Sequence, residues 1–100
     1  MAALMISKLR RFWFRFHDLP KFTPIRLGCG VTARDYADAI EILGGTVFKG
    51  QTMPTIASVI EDVDIATLDP GHVIPNMEAP VFRGVWFPKG YLDSHEPVSV

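Results

Sequence analysis

An α+β fold, with one main helix laid on a three- or four-stranded antiparallel or mixed sheet, follows from three features of the chain. Phe12, Phe14 and Phe16 recur at period two, Tyr36, Ala39, Ile40 and Leu43 recur at helical spacing, and β-branched stretches follow the helix. The expected order is strand, helix, strand, strand. All of it fits one domain spanning residues 1–100, in which residues 1–9 and 92–100 have little to pack and are expected to be loosely ordered.

The first strand lies in "RRFWFRFH", where the three phenylalanines take one face and Trp13, Arg15 and His17 the other. "HDLPKFTPIRL" reads as a loop, since Pro20 and Pro24 each lack a ladder donor. Next comes "GCGVTARDYADAIEIL". Thr32 suits an N-cap, Asp35 can reach back as in a capping box, and Val31 with Tyr36 forms a hydrophobic staple. The helix is expected over residues 33–43, with Asp38 and Glu41 in solvent and Gly44-Gly45 ending it. Gly28 and Gly30 are then the hinge that feeds it.

"TVFKGQTMP" reads as a short apolar patch and a turn. In "TIASVIEDVDIATL" the β-branched residues favour a strand, with Val59, Val63 and Ile65 on one face and Ile60, Asp62, Asp64 and Ala66 on the other. Asp69-Pro70-Gly71 is a turn, and "HVIPNMEAP" a loop or irregular strand. The last strand is expected in "VFRGVWFP", where Val81, Val85 and Phe87 alternate with Phe82, Gly84 and Trp86, closed by Pro88 and Gly90. A helix on one side leaves a far face carrying Trp13 and Trp86, an apolar patch that would favour a dimer.

These strings, from "FWFRF" through "GCGVTARDYADAIEIL", "VIEDVDIATLD" and "HVIPNM" to "VFRGVWFP", resemble a group of small bacterial proteins of unknown function. The resemblance runs from Phe12 to Pro88. It implies a bacterial origin and a compact stand-alone domain, and it carries no activity, ligand or catalytic residue with it.

Composition narrows the function classes. Of 100 residues, 48% are apolar and 21% charged, ordinary globular values that argue against a disordered chain. A single cysteine cannot form an intramolecular disulfide, and no stretch approaches the ~20 apolar residues that span a bilayer. The start does not read as a signal peptide, so a cytoplasmic location is expected. The net charge of −1 conceals an asymmetry. Up to Arg34 seven basic residues face one acid, whereas from Asp35 onward ten acids face three bases. The two halves are expected to neutralise each other across the sheet rather than to serve an acidic partner.

Five features could carry chemistry, and each has a plainer alternative. Cys29, near a helix N-terminus and close in sequence to Arg26 and Arg34, is the one catalytic candidate, but no base or second thiol is placed beside it, and free cysteines often pack as small hydrophobes. Gly30, Thr32 and Arg34 could bind an anion through backbone N–H groups at the helix start, although no phosphate-loop motif is present. Asp62, Asp64 and His72, with Asp69 nearby, are candidate metal ligands at no established spacing; such acids are more often solvated or paired, here with Arg15 and Arg83. "KLRRFWFRFH" could stack single-stranded nucleic acid, yet its phenylalanines are those of a core strand, so nucleic acid is not the expected partner. Trp13, Arg15 and Trp86 are interface candidates, and Asn76, Arg83 and Tyr91 stand near the proline-rich loops.

The balance is for a non-enzymatic binding or protein-interaction module, needing no cofactor and no membrane, that associates with itself or another protein through the Trp13 face. The alternative is an enzyme handling a phosphate or other small molecule at residues 28–34, with Cys29 as a possible reactive thiol.

Overall fold

The computed structural model describes residues 8–19 and 23–91. Of the ends expected to be loose, residues 1–7 and 92–100 lie outside the described residues, and His95 with them. The elements are β1 (Arg10–Phe16), β2 (Cys29–Ala33), α1 (Tyr36–Gly45), β3 (Ile56–Glu61) and β4 (Gly84–Phe87), with 3-10 turns at Pro24–Arg26, Ile65–Thr67 and Ile74–Asn76. The fold is α+β. One helix packs on a four-stranded antiparallel sheet in the order β3-β1-β2-β4.

The additional strand, β2, lies in the segment expected to be a hinge. Gly30 pairs with Trp13, and Val31 pairs with Phe12, so Cys29 to Ala33 form a buried inner strand. A glycine in a strand and another just before it weaken propensity, but here a large ring claims the missing side chain's volume at each. A Cβ on Gly28, whose φ is +132°, would fall 2.5 Å from the Trp13 indole, and one on Gly30 would overlap the ring of Trp86.

The helix begins later than expected. Asp35 is the N-cap and accepts from the Asp38 N–H at 2.8 Å, while Thr32 sits in β2 and donates its hydroxyl to the Pro80 carbonyl at 2.5 Å. The buried stripe is also rotated about the helix axis. Ala39 and Leu43 face the sheet as expected, but Ile42 and Asp38 join them, and Tyr36 is 42% exposed. A carboxylate on the buried face is tolerated because Arg83 reaches it.

β3 ends at Glu61, short of the expected run. Asp62 turns the chain at φ +56°, so Val59 packs with the helix-side core and Val63 with the opposite one. β4 is likewise shorter, and Val81 and Phe82 stand 64% and 62% exposed outside it, so Phe82 completes no core. The register shifts between Gly30 and Val31, where Trp86 is the extra residue opposite β2. That bulge puts both Trp86 and Phe87 on the far face, against Trp13, at ring centroid distances from Trp13 of 5.9 and 5.7 Å.

The topology explains why both faces are covered. β2 and β3 flank β1 and are each antiparallel to it, hence parallel to one another, and consecutive parallel strands require a crossover, supplied by α1 on one face. β3 and β4 occupy opposite edges of the sheet. The chain of residues 62–83 must therefore cross the full sheet, and it does so over the other face, where Val63, Leu68 and Val73 cap the two tryptophans. Trp13 is 5% and Trp86 0% exposed, which corrects the expectation of an open aromatic face.

Candidate functional site

Most residues singled out from the sequence turn out to be committed to the fold. Cys29 lies on β2, fully buried, and desolvation pushes its thiol up to about 12. A thiol sealed from solvent and held protonated is a poor nucleophile, so the position of Cys29 favours the packing role over the reactive-thiol alternative. Alkylation by iodoacetamide at neutral pH is expected to leave Cys29 untouched in the native chain and to modify it only once denaturant unfolds the protein; labelling at the rate of a free thiol would contradict this burial.

Gly30, Thr32 and Arg34 do not converge on an anion. Gly30 lies beneath Trp86, Thr32 is bonded to Pro80, and Arg34 donates its N–H (2.9 Å) and guanidinium (Nη2 3.3 Å) to Asp38. The cavity beside them, about 500 Å³ and walled in part by Lys8, Arg10 and Arg34, also holds Asp35, Asp38 and Glu41. Its charges cancel.

Asp38 is the best-connected carboxylate among the described residues. It is 7% exposed and accepts from the backbone N–H and guanidinium of Arg34 and from both Nε (2.9 Å) and Nη2 of Arg83. Arg83 above all, then the Arg34 N–H, holds its carboxyl well below the usual carboxylate range against the opposing effect of burial. This cluster ties the helix start to the entry of β4. The expectation that Asp38 is solvated is thereby corrected, and Arg83 is accounted for.

The metal candidates also separate. Asp62 pairs with Arg10 rather than Arg15, both O···N contacts of that fork being 2.8 to 3.1 Å, and its pKa is lowered by that bond. Asp64 caps the 3-10 turn through the Ala66 N–H at 3.0 Å, and His72 contacts Asp69 at 3.3 Å. Asn76 donates to the His72 carbonyl. Among the described residues no group of three His, Cys, Asp or Glu could hold a metal ion. The Arg10 bonds to Glu61 and Asp62 join the basic early segment to later acids across the sheet, whereas the Arg83 bond to Asp38 lies within the later, acidic half.

What remains open is a groove on the far face. Where residues 62–83 end their cover short of β3, a cavity of about 310 Å³ is lined by Trp13 from the sheet and by Leu68 and Val73 from the cover. Its walls include Leu27 and Ile60, 39% and 49% exposed. Arg15 and Asp69 stand at its polar positions. Asp69 is already engaged, accepting from the N–H groups of Gly71 (2.8 Å) and His72 (3.0 Å), which lower its pKa. Arg15 is exposed and its guanidinium forms no ion pair among the described residues. Of the three interface candidates, then, Arg15 is accessible, Trp13 contributes the floor, and Trp86 is sealed inside. Ile60 and Leu27 escaped the sequence reading because an exposed aliphatic residue has no local signature. A second cavity of about 300 Å³, which Tyr91 lines with Phe48 and Ile25, lies against the helix-side core.

These features define a small α+β sheet domain, cored on both faces, with an apolar groove beside one edge strand. Comparison with protein-family models, with curated proteins and with solved structures found no match. Among the described residues no helix is long and apolar enough to cross a membrane.

Proposed function

We propose that the chain is a non-enzymatic interaction module that docks a partner protein through the far-face groove. One observation carries this reading: exposed Ile60 and Leu27 flank Trp13, Leu68 and Val73, with Arg15, which forms no ion pair among the described residues, at the edge. Apolar side chains left in water around an aromatic floor, next to a cation, have the make-up of a contact surface. The alternative of catalysis at residues 28–34 has no supporting geometry, since its thiol, glycine and threonine all serve the sheet.

A site-specific cross-linker tests it. With benzoylphenylalanine in place of Ile60, ultraviolet irradiation in the cell of origin is expected to trap one protein of defined mass; the same group at Glu41, on the exposed side of α1, is expected to trap none. Equal trapping at both positions, or at neither, would refute the proposal. The Ile60→Asp variant should still fold, losing about 1 kcal/mol for placing Asp in a strand, and should lose the partner.

A further inference from the structure

The groove adjoins a sheet edge, and that adjacency names the form of the partner. Resting on the docking role just proposed, we infer that the occupant is an extended segment of another protein that adds to β3 as a fifth strand, with an acidic side chain two residues from an aliphatic one.

β3 is an outer strand of the sheet, so alternate amides and carbonyls along it face away from β1. Among the described residues no backbone bond beyond the β1 ladder and no side-chain bond is made to Ser58, Val59 or Ile60. That stretch carries neither lysine nor proline, the usual guards of an edge. The register shift at Ala57 and the charge of Glu61 bound it, so the usable edge is short. Backbone pairing alone over so few residues is weak. Side-chain recognition must supply the rest.

The side chains on the groove side specify what that is. Ser58 and Ile60 share the far face, paired with Arg15 and Trp13 respectively. A strand added outside β3 would lie about 4.8 Å further out. Ser58 is small and exposed, so the Arg15 side chain can extend over it to meet a carboxylate on the added strand opposite Ser58. Two residues along that strand, on the same face, an aliphatic side chain would cover Ile60. A second copy of this chain fits less well: in an antiparallel β3 pair with Ile60 opposite Ile60 the residue opposite Ser58 is Asp62, which has already left the strand at φ +56° and is held by Arg10.

The test is selection of displayed random dodecapeptides on the whole protein, with counter-selection on Ile60→Asp. Enriched peptides are expected to carry Asp or Glu two positions from Ile, Leu or Val. The synthetic form of the strongest should bind Arg15→Gln roughly tenfold more weakly, as for loss of a charged hydrogen bond, and N-methylation of its alternate amides should abolish binding. Peptides that need Ile60 but tolerate Arg15→Gln and N-methylation would overturn the acidic-strand inference while leaving the groove reading in place. Failure to enrich any peptide sensitive to Ile60 would overturn both. A concentration-dependent dimer in sedimentation equilibrium, lost in Ile60→Asp, would overturn the choice of a foreign partner in favour of a second copy.

Discussion

Gly30→Ala is expected to destabilise the protein by about 3 kcal/mol, the upper end of the usual cost of overpacking a core. The new methyl would overlap the Cε3, Cζ3 and Cη2 atoms of Trp86. Trp86 cannot swing aside, because it is fully buried and stacked on Trp13 beneath the cover of Val63, Leu68 and Val73. A hinge glycine in solvent would show almost no penalty for the same change. The control is Trp86→Leu, which by itself leaves a cavity and costs about 3 kcal/mol. If the clash is the cause, the double variant should be less destabilised than the two single changes together, by about 1 kcal/mol or more. Urea midpoints of the four chains decide the matter, and strict additivity would show that Gly30 and Trp86 do not compete for one space.

The second large effect is expected at Asp38. Asp38→Ala removes the acceptor of two guanidinium groups and of the Arg34 N–H that precedes the helix cap. Hydrogen bonds to charged groups contribute about 1.5–3 kcal/mol. Both arginines keep contact with water, with side chains 54% and 42% exposed, so the total should stay near 2 kcal/mol rather than the larger cost of stranding fully buried charge. For a chain of this size that is a fall of roughly 10 °C in melting temperature.

The pH dependence follows from the same carboxylate. Its folded pKa lies below its unfolded value of about 3.9, so the unfolded chain takes up the proton first on acidification. The stabilisation is therefore complete above the unfolded pKa and is lost as pH falls toward the folded one. Asp38→Asn should flatten the acid limb of melting temperature against pH. It should not abolish it, because Asp62 and Asp69 are shifted in the same direction. An acid limb identical to that of the parent chain would show that Asp38 does not titrate with folding.

Local patterns in the chain were read correctly where a single face decides burial. The period-two phenylalanines form β1 with Phe12 and Phe14 fully buried, and Ala39 and Leu43 face the core from α1. The patterns misled where a distant residue supplies the environment. Asp38 is polar and its spacing predicts a solvent-facing position, yet Arg83, forty-five positions on, makes its burial possible. Gly28 and Gly30 look like a flexible joint until the rings of Trp13 and Trp86 fill the space that their missing side chains leave. Of the groove, Arg15 and Trp13 were legible as candidates, whereas Ile60 and Leu27 were not.

Sequence alone determined the α+β class, the main helix, the first strand and the single cysteine, because periodicity and composition act over a few neighbouring residues. Only the tertiary structure decided that both faces of the sheet are covered. β3 and β4 lie on opposite edges, so residues 62–83 must cross from one to the other; that path buries the tryptophans and leaves open the groove beside β3.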